Sequence, residues 1–146
     1  MPQPNKFPSA FGGKGFKPLS DYIHSLGLKF RIYVMRGIPR QAVSIKSLVL
    51  GTIGVTAGMI ADTSSTCPWM NHMYRLDMSK PGAKEYLNSI LESFKDWDVD
   101  FIKVDHTARP YHKAEIEGYK KTIEHCGRPI VLVSQQVKHH WPIRFM

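Results

Sequence analysis

The segment Val99-Asp100-Phe101-Ile102-Lys103-Val104-Asp105 alternates two sets of side chains and predicts a short, mostly apolar β-strand that ends in an acid. On such a strand, Lys103 and Asp105 point to the same side, roughly 7 Å apart along it. A lysine and an aspartate that project together from the C-terminal end of a strand are expected for the catalytic carboxylate of a β/α fold. The lysine ammonium would lower the pKa of the carboxyl group and keep it available as a nucleophile. A strand-end ion pair without a catalytic role is the alternative.

The pieces on either side of this segment repeat a strand-then-helix plan. Apolar periodicity predicts helices over about 16–26, 86–97 and 113–125, and strands over about 28–34 and 130–133. Residues 35–80 lack clear periodicity and predict a long loop over the active face. This order of elements implies parallel strands that are joined by right-handed crossovers.

Length and composition limit the possible classes of protein. A chain of 146 residues is normally one domain, and its 42% hydrophobic content is that of a globular protein. A complete β/α barrel needs about 250 residues, so the chain is too short for the fold that its pattern predicts.

No apolar run approaches the ~20 residues that span a membrane, so we expect no membrane partner. The formal charge of +8 suggests a nucleic-acid partner, but the positive charges form no dense block and no RNA-binding or zinc-finger motif appears. We therefore expect a basic surface without nucleic-acid binding.

Four motifs occur in one order along the chain: Phe30-Arg31-Ile32-Tyr33, Met35-Arg36-Gly37-Ile38-Pro39-Arg40-Gln41-Ala42-Val43, Cys67-Pro68-Trp69, and Asp100-Phe101-Ile102-Lys103-Val104-Asp105. Together they resemble the melibiase-type glycoside hydrolases, the α-galactosidases, and especially their plant-like branch. The resemblance runs from about Phe7 to about Leu132. It implies an α/β fold that is a fragment of a (β/α)8 TIM barrel, with about strands three to five and their helices. Residues 1–133 would then be a partial catalytic barrel, and residues 134–146 a divergent C-terminal tail.

The same resemblance implies a glycosidase that hydrolyses terminal α-galactosyl or related bonds with retention. Asp105 matches the family's nucleophile, Lys103 matches a residue that binds sugar hydroxyls and stabilises the carboxylate, and Tyr33 matches an aromatic residue of the sugar pocket. Cys67 and Trp69 lie in the long loop and would border the pocket. The alternatives are a half-buried strand aromatic for Tyr33 and a structural loop anchor for the other two. No metal or organic cofactor is implied, the partner is a carbohydrate substrate, and a full-length relative is expected outside the cell, in the cell wall or in the vacuole.

Only one half of the catalytic pair matches the chain. Retaining glycosidases need two carboxyl groups about 5–5.5 Å apart, but the family's acid/base aspartate follows the sixth strand, which this chain does not reach. We therefore expect the fragment to be inactive alone. Two rival functions stay open, namely a noncatalytic partial barrel that binds sugar or a partner, and a basic nucleic-acid module, which salt-dependent binding would favour.

Several residues depart from the family pattern. Arg31 replaces a glycine, shares its strand face with Tyr33 and would point into a crowded barrel interior, where an unpaired guanidinium is costly. Asp98 replaces a glycine between a helix and a strand, where positive φ is often needed. Arg75 replaces a further glycine, and Thr107 stands where many members carry a bridged cysteine. Each glycine replacement argues against a fully preserved fold.

Two histidines and a glutamate near the C-terminal end of the predicted strand suggest a metal site, because imidazole and carboxylate groups are common metal ligands. These residues are His106, His112 and Glu115. Their spacing fits no strong ligand motif, so we predict surface or loop positions for all three.

Overall fold

The computed structural model describes residues 2–3, 5–67, 70–107 and 111–134. After a 3₁₀ segment, Pro8–Gly13, the elements in chain order are α1 (Lys17–Ser25), β1 (Arg31–Met35), β2 (Ile38–Pro39), α2 (Arg40–Ser44), α3 (Ala57–Ile60), β3 (Ala61–Cys67), β4 (Met70–Leu76), α4 (Ala83–Asp96), β5 (Phe101–Asp105), α5 (Lys113–His125) and β6 (Val131–Ser134). None of the helices in these ranges is long and apolar enough to span a bilayer. The predictions for Trp69 and for residues 135–146 fall outside the described residues.

Three of the strands form a parallel sheet in the order β1-β5-β6, which confirms the parallel arrangement that the sequence predicts. Tyr33 on β1 is the register partner of Lys103 on β5, and Lys103 is in turn paired with Val133 on β6. Met35 is paired with Asp105 at the C-terminal end of both strands. The sheet therefore brings the ends of β1 and β5 together at one edge.

The core lies between this sheet and the helices that follow its strands. Helix α4 buries Leu87 and Leu91, which lie four residues apart on one helix face. They belong to one buried cluster with Ile102 and Val104 of β5 and Tyr119 of α5. Because alternate residues of a strand face opposite sides, this packing leaves Phe101, Lys103 and Asp105 on the other face of β5.

That other face of the sheet is open in the part of the chain that the structure describes. Tyr33 is 53% exposed and Val131 is 51% exposed, although both are large apolar side chains. Arg31 lies on the same face and is exposed as well. The prediction that Arg31 points into a crowded interior is therefore wrong, because no described element covers this face of the three strands.

The prediction of an irregular loop over residues 35–80 is also wrong. Strands β2, β4 and β3 form an antiparallel sheet in that order, and Ile38, Ile60 and Leu76 of this region are fully buried. These strands show no clear hydrophobic periodicity in the sequence, for two reasons. Strand β2 has only two residues, and the pairing of β3 with β4 shifts register between Asp62 and Thr66, which breaks the period of two.

The structure accommodates the other two glycine replacements. Asp98 has φ of +54°, as the glycine pattern predicted, and its side chain accepts a hydrogen bond of 2.7 Å from Arg128 Nη1. Its second carboxylate oxygen lies 3.1 Å from Lys17 Nζ. Arg75 on β4 pairs with Asp62 on β3 at 3.3 Å. Each replacement has thus gained an ion-pair partner that glycine could not have.

Candidate active site

The candidate site is the C-terminal edge of the parallel sheet, where β1 and β5 bring three predicted residues together. The Tyr33 hydroxyl donates a hydrogen bond to Asp105 Oδ2. Lys103 Nζ lies 3.9 Å from Asp105 Oδ1 and 4.8 Å from the centre of the Tyr33 ring. The lysine therefore faces both the carboxylate and the aromatic ring, at a distance suited to a cation–π contact.

The two oxygens of the Asp105 carboxyl group differ in their surroundings. Asp105 is only 7% exposed, and its Oδ2 accepts a hydrogen bond from the Tyr33 hydroxyl, whereas its Oδ1 is buried and has no hydrogen-bond partner among the described residues. The hydrogen bond to Asp105 raises the pKa of Tyr33 above its ordinary value, with desolvation and the nearby negative charge acting in the same direction. The tyrosine thus stays a proton donor at neutral pH. The two carboxylate oxygens thus differ, since only Oδ2 is held by a hydrogen bond from a described residue.

The two remaining predicted site residues are not placed by the structure. Cys67 ends strand β3, but the prediction for its side chain and the prediction for Trp69 lie outside what the structure describes. Thr107, at the position of the family's bridged cysteine, is buried, and its hydroxyl lies 3.5 Å from the Val104 carbonyl oxygen. The described site is therefore built from Tyr33, Lys103 and Asp105.

A buried cluster of charged and polar side chains lies next to the C-terminal ends of β1 and β5. Its central member, Arg36, was not predicted from the sequence as a functional residue. Its Nη1 donates to Glu115 Oε1 at 3.0 Å, and its Nε donates to His106 Nδ1 at 3.0 Å. His112 joins the cluster with its Nδ1 3.8 Å from Glu115 Oε1. The prediction of surface or loop positions is wrong for Glu115, which is buried on α5, whereas His106 and His112 do lie in loop segments but are less than one-tenth exposed.

The sequence does carry a signal for part of this cluster. His112 and Glu115 are three residues apart where α5 begins, so they lie on one helix face. Arg36 follows the last residue of β1, where a side chain can reach back over the strand ends. The described residues contain no group of three or more His, Cys, Asp or Glu side chains that could hold a metal ion.

Burial governs the ionisation of the cluster. Burial raises the pKa of Glu115 to about 7, although Arg36 opposes the shift. Burial also lowers the pKa of His112 to about 4, and the positive charge of Arg36 adds to the effect. The pKa of His106 is lowered for the same two reasons. Both imidazoles are consequently neutral at pH 7, and Arg36 is the fixed positive charge of the cluster.

Comparison with known proteins gives a clear relationship only at the level of solved structures, since no protein-family model and no curated protein matches the chain. A protein described as an α-N-acetylgalactosaminidase, from Bacillus halodurans, is 53% identical with a TM-score of 0.87, over 92% of this chain and 33% of that one. A GH27 β-L-arabinopyranosidase from Geobacillus stearothermophilus is 53% identical with a TM-score of 0.88, over 94% of this chain and 32% of that one. Its variant in complex with arabinose matches at 52% identity over the same shares, also with a TM-score of 0.88.

These values confirm the resemblance drawn from the sequence motifs, and they also set its extent. More than half of the residues are identical across nearly the whole chain, but the chain spans about a third of the length of each of these structures. It is a mixed α/β fragment of their fold. The chain belongs to the melibiase-type glycoside hydrolases of family GH27.

Proposed function

We propose that this chain carries the nucleophile half of a retaining glycosidase that acts on terminal α-galactosyl or related residues, such as β-L-arabinopyranosyl residues. The proposal rests above all on Asp105, a nearly buried carboxylate at the C-terminal end of a parallel strand, beside the Tyr33 hydroxyl and the Lys103 ammonium. Such strand ends carry the catalytic groups of β/α barrels. One relative, matched by two structures, is a β-L-arabinopyranosidase by description and another is described as an α-N-acetylgalactosaminidase, which supports a pocket for galactose-like sugars.

Each of the three side chains has a distinct part in this mechanism. Asp105 attacks the anomeric carbon and forms a glycosyl-enzyme intermediate, while the bond from that carbon to the leaving oxygen breaks and this oxygen takes a proton from the acid/base carboxyl group of a complete barrel. The Tyr33 hydroxyl holds Oδ2, so the carboxylate presents a fixed orientation to the sugar. The Lys103 ammonium, 3.9 Å from Oδ1, is the nearby positive charge of the site and donates to sugar hydroxyls.

The rest of the active site belongs to other parts of a complete barrel. We assign β1, β5 and β6 to the third, fourth and fifth barrel strands, within a partial catalytic barrel over residues 1–133 and a divergent tail over 134–146. The resemblance places the family's acid/base carboxyl group after the sixth strand, so we assign that role to no carboxylate among the described residues. Cys67 and Trp69 would border the sugar pocket. The plant-like branch of the family remains a proposal, because the matched structures come from bacteria.

A chimera tests the nucleophile directly. Residues 7–132, with Arg31→Gly because a closed barrel would cover that side chain, replace the matching part of the Geobacillus arabinopyranosidase. The chimera should hydrolyse an aryl β-L-arabinopyranoside or an aryl α-galactoside, and Asp105→Ala should abolish turnover. Azide should then restore turnover and yield a glycosyl azide of inverted anomeric configuration, because the small anion fills the space of the missing carboxylate.

The matched control is Asp100→Asn in the same chimera. Asp100 is as buried as Asp105 but lies at the opposite end of β5, so its loss should weaken the fold and leave turnover per folded molecule unchanged. Full activity of the Asp105→Ala chimera without azide would refute the assignment. A folded but inactive parent chimera that still binds arabinose would favour the noncatalytic alternative.

A further inference from the structure

The end of β5 is tied to β1 by one residue that acts through both its backbone and its side chain. The backbone N–H of Arg36 donates to the Asp105 carbonyl oxygen at 3.3 Å, which extends the β1–β5 ladder past the last residue of β1. The Nε of Arg36 donates to His106 Nδ1 at 3.0 Å. Arg36 is therefore hydrogen-bonded to the main chain of Asp105 and to the side chain of His106.

The backbone conformation of the residue after Asp105 explains why these hydrogen bonds are needed. His106 has φ of +59°, a left-handed conformation that is unfavourable for a residue with a Cβ. Such a conformation persists only where the surroundings hold it. Here the chain leaves the strand by this turn, and the His106 ring is held against Arg36 while its own side chain is 8% exposed.

Arg36 is itself fixed from behind by helix α5. Its Nη1 bonds Glu115 Oε1 at 3.0 Å, and both side chains are nearly inaccessible, with 4% and 3% of their surface exposed. A buried ion pair of this kind adds little net stability over an apolar pair, but it selects one geometry. The pair thus links the first turn of α5 to the exit of β5.

We infer that Arg36, oriented by Glu115, is a positioning residue that sets the direction of the Asp105 carboxylate toward Tyr33 and Lys103. The inference rests on the proposed function, in which Asp105 is the nucleophile. Arg36 does not touch the sugar and acts only through the strand end. Misplacement of a reacting group by about 1 Å can cost 10²-fold in rate, so a fixed strand end has a large effect on catalysis.

The Tyr33 hydroxyl reports on this orientation in the chain as it exists, without any sugar or chimera. Its hydrogen bond to Asp105 raises the pKa of Tyr33 above 10.0. In Arg36→Lys, the amine cannot bond both Glu115 and His106 in the fork geometry of a guanidinium. The carboxylate should then turn, and the pKa of Tyr33, followed by ¹³C NMR of the ring carbon that bears the hydroxyl, should fall toward that of a free tyrosine.

Two further variants separate positioning from mere stability. Glu115→Gln keeps an oxygen acceptor for Arg36 but removes the charge, and should give a smaller fall of the Tyr33 pKa than Arg36→Lys. Arg128→Lys is the matched control, because Arg128 bonds Asp98 at the far end of β5 and should leave the Tyr33 pKa unchanged.

An unchanged Tyr33 pKa in folded Arg36→Lys and Glu115→Gln proteins would overturn the positioning role. Loss of the fold in both variants would also overturn it, because the cluster would then serve stability alone. Neither result bears on turnover of the Asp105→Ala chimera, so failure of this inference is distinct from failure of the proposed function.

Discussion

Asp100 and Asp105 lie at opposite ends of strand β5 and are about equally buried, at 8% and 7% exposed, but their surroundings differ. Asp100 is surrounded by donors. Its Oδ2 lies 2.7 Å from His24 Nε2 and accepts the Phe30 N–H at 2.9 Å, and its Oδ1 lies 3.3 Å from Lys29 Nζ. Burial alone would raise the pKa of Asp100, but these hydrogen bonds outweigh it and lower the pKa to about 2.

Asp105 is about as buried as Asp100 but has fewer described hydrogen-bond donors around its carboxylate. The Tyr33 hydroxyl donates to one oxygen, the Lys103 ammonium lies 3.9 Å from the other, and that second oxygen makes no hydrogen bond within the part of the chain that the structure describes. A buried polar atom without a partner costs free energy. The comparison shows two buried aspartates in different surroundings, because the Asp100 carboxylate is fully hydrogen-bonded and stabilises the fold, whereas Asp105 has fewer described donors, which suits the nucleophile that we propose.

The largest effect should come from Asp100→Asn. The amide cannot accept from the donors on both of its sides, so the free energy of unfolding should fall by about 1–3 kcal/mol at pH 7. Because the pKa of Asp100 is depressed in the folded state, its contribution is present above the unfolded pKa near 3.8 and is lost as the pH falls through about 2. The variant should therefore lose less stability than the parent between pH 4 and pH 2.

Urea unfolding at pH 7 and across the acid range measures both effects. Asp96→Asn is the control, since Asp96 is exposed on the last turn of α4 and should change neither the midpoint nor its pH dependence. Equal stability of the Asp100→Asn protein and the parent would contradict the stabilising role of Asp100, and with it the difference from Asp105.

An intermediate effect is expected at Asp98, which begins the approach to β5 with φ of +54°. Asp98→Ala keeps a Cβ in the left-handed region and loses the bond to Arg128, whereas Asp98→Gly loses the same bond but relieves the strain. The glycine variant should be more stable than the alanine variant by about 1 kcal/mol. Thermal unfolding of the two proteins side by side measures the difference, and a more stable alanine variant would contradict the backbone argument.

The smallest effect should come from Asp105→Asn. The amide oxygen can still accept from Tyr33, and replacing the other oxygen by an amide nitrogen removes a buried negative charge. The free energy of unfolding should stay the same or rise by up to about 1 kcal/mol, as is common when a reactive group is neutralised. Denaturant unfolding beside Asp100→Asn sharpens the comparison, and a loss as large as that of Asp100→Asn would mean that Asp105 is a structural residue.

The sequence predicted those features that depend on short-range pattern. Periodicity located the parallel strands and the helices α4 and α5, and strand alternation placed Lys103 beside Asp105. The glycine pattern correctly predicted a positive φ at Asp98. Each of these follows from residues that are close together in the chain.

Features that depend on long-range packing were not predicted. The antiparallel sheet over residues 35–80 has one very short strand and an irregular register, so it carries no clear period. The buried positions of His106, His112 and Glu115 follow from Arg36, which is 70 residues from His106 and 79 from Glu115. Arg31 was assigned to a closed interior, although no described element covers its face of the sheet.

The two neighbours of β5 also differ in how far along the chain they lie, and this affects the order of folding. Arg128, just before β6, bonds Asp98 across 30 residues, whereas Tyr33 on β1 bonds Asp105 across 72. Closing the longer loop costs about 0.8 kcal/mol more in chain entropy. We therefore expect contacts on the β6 side of the strand to form before those on the β1 side. The candidate site at the C-terminal edge of the parallel sheet should then form late in folding, when the Tyr33–Asp105 contact is made.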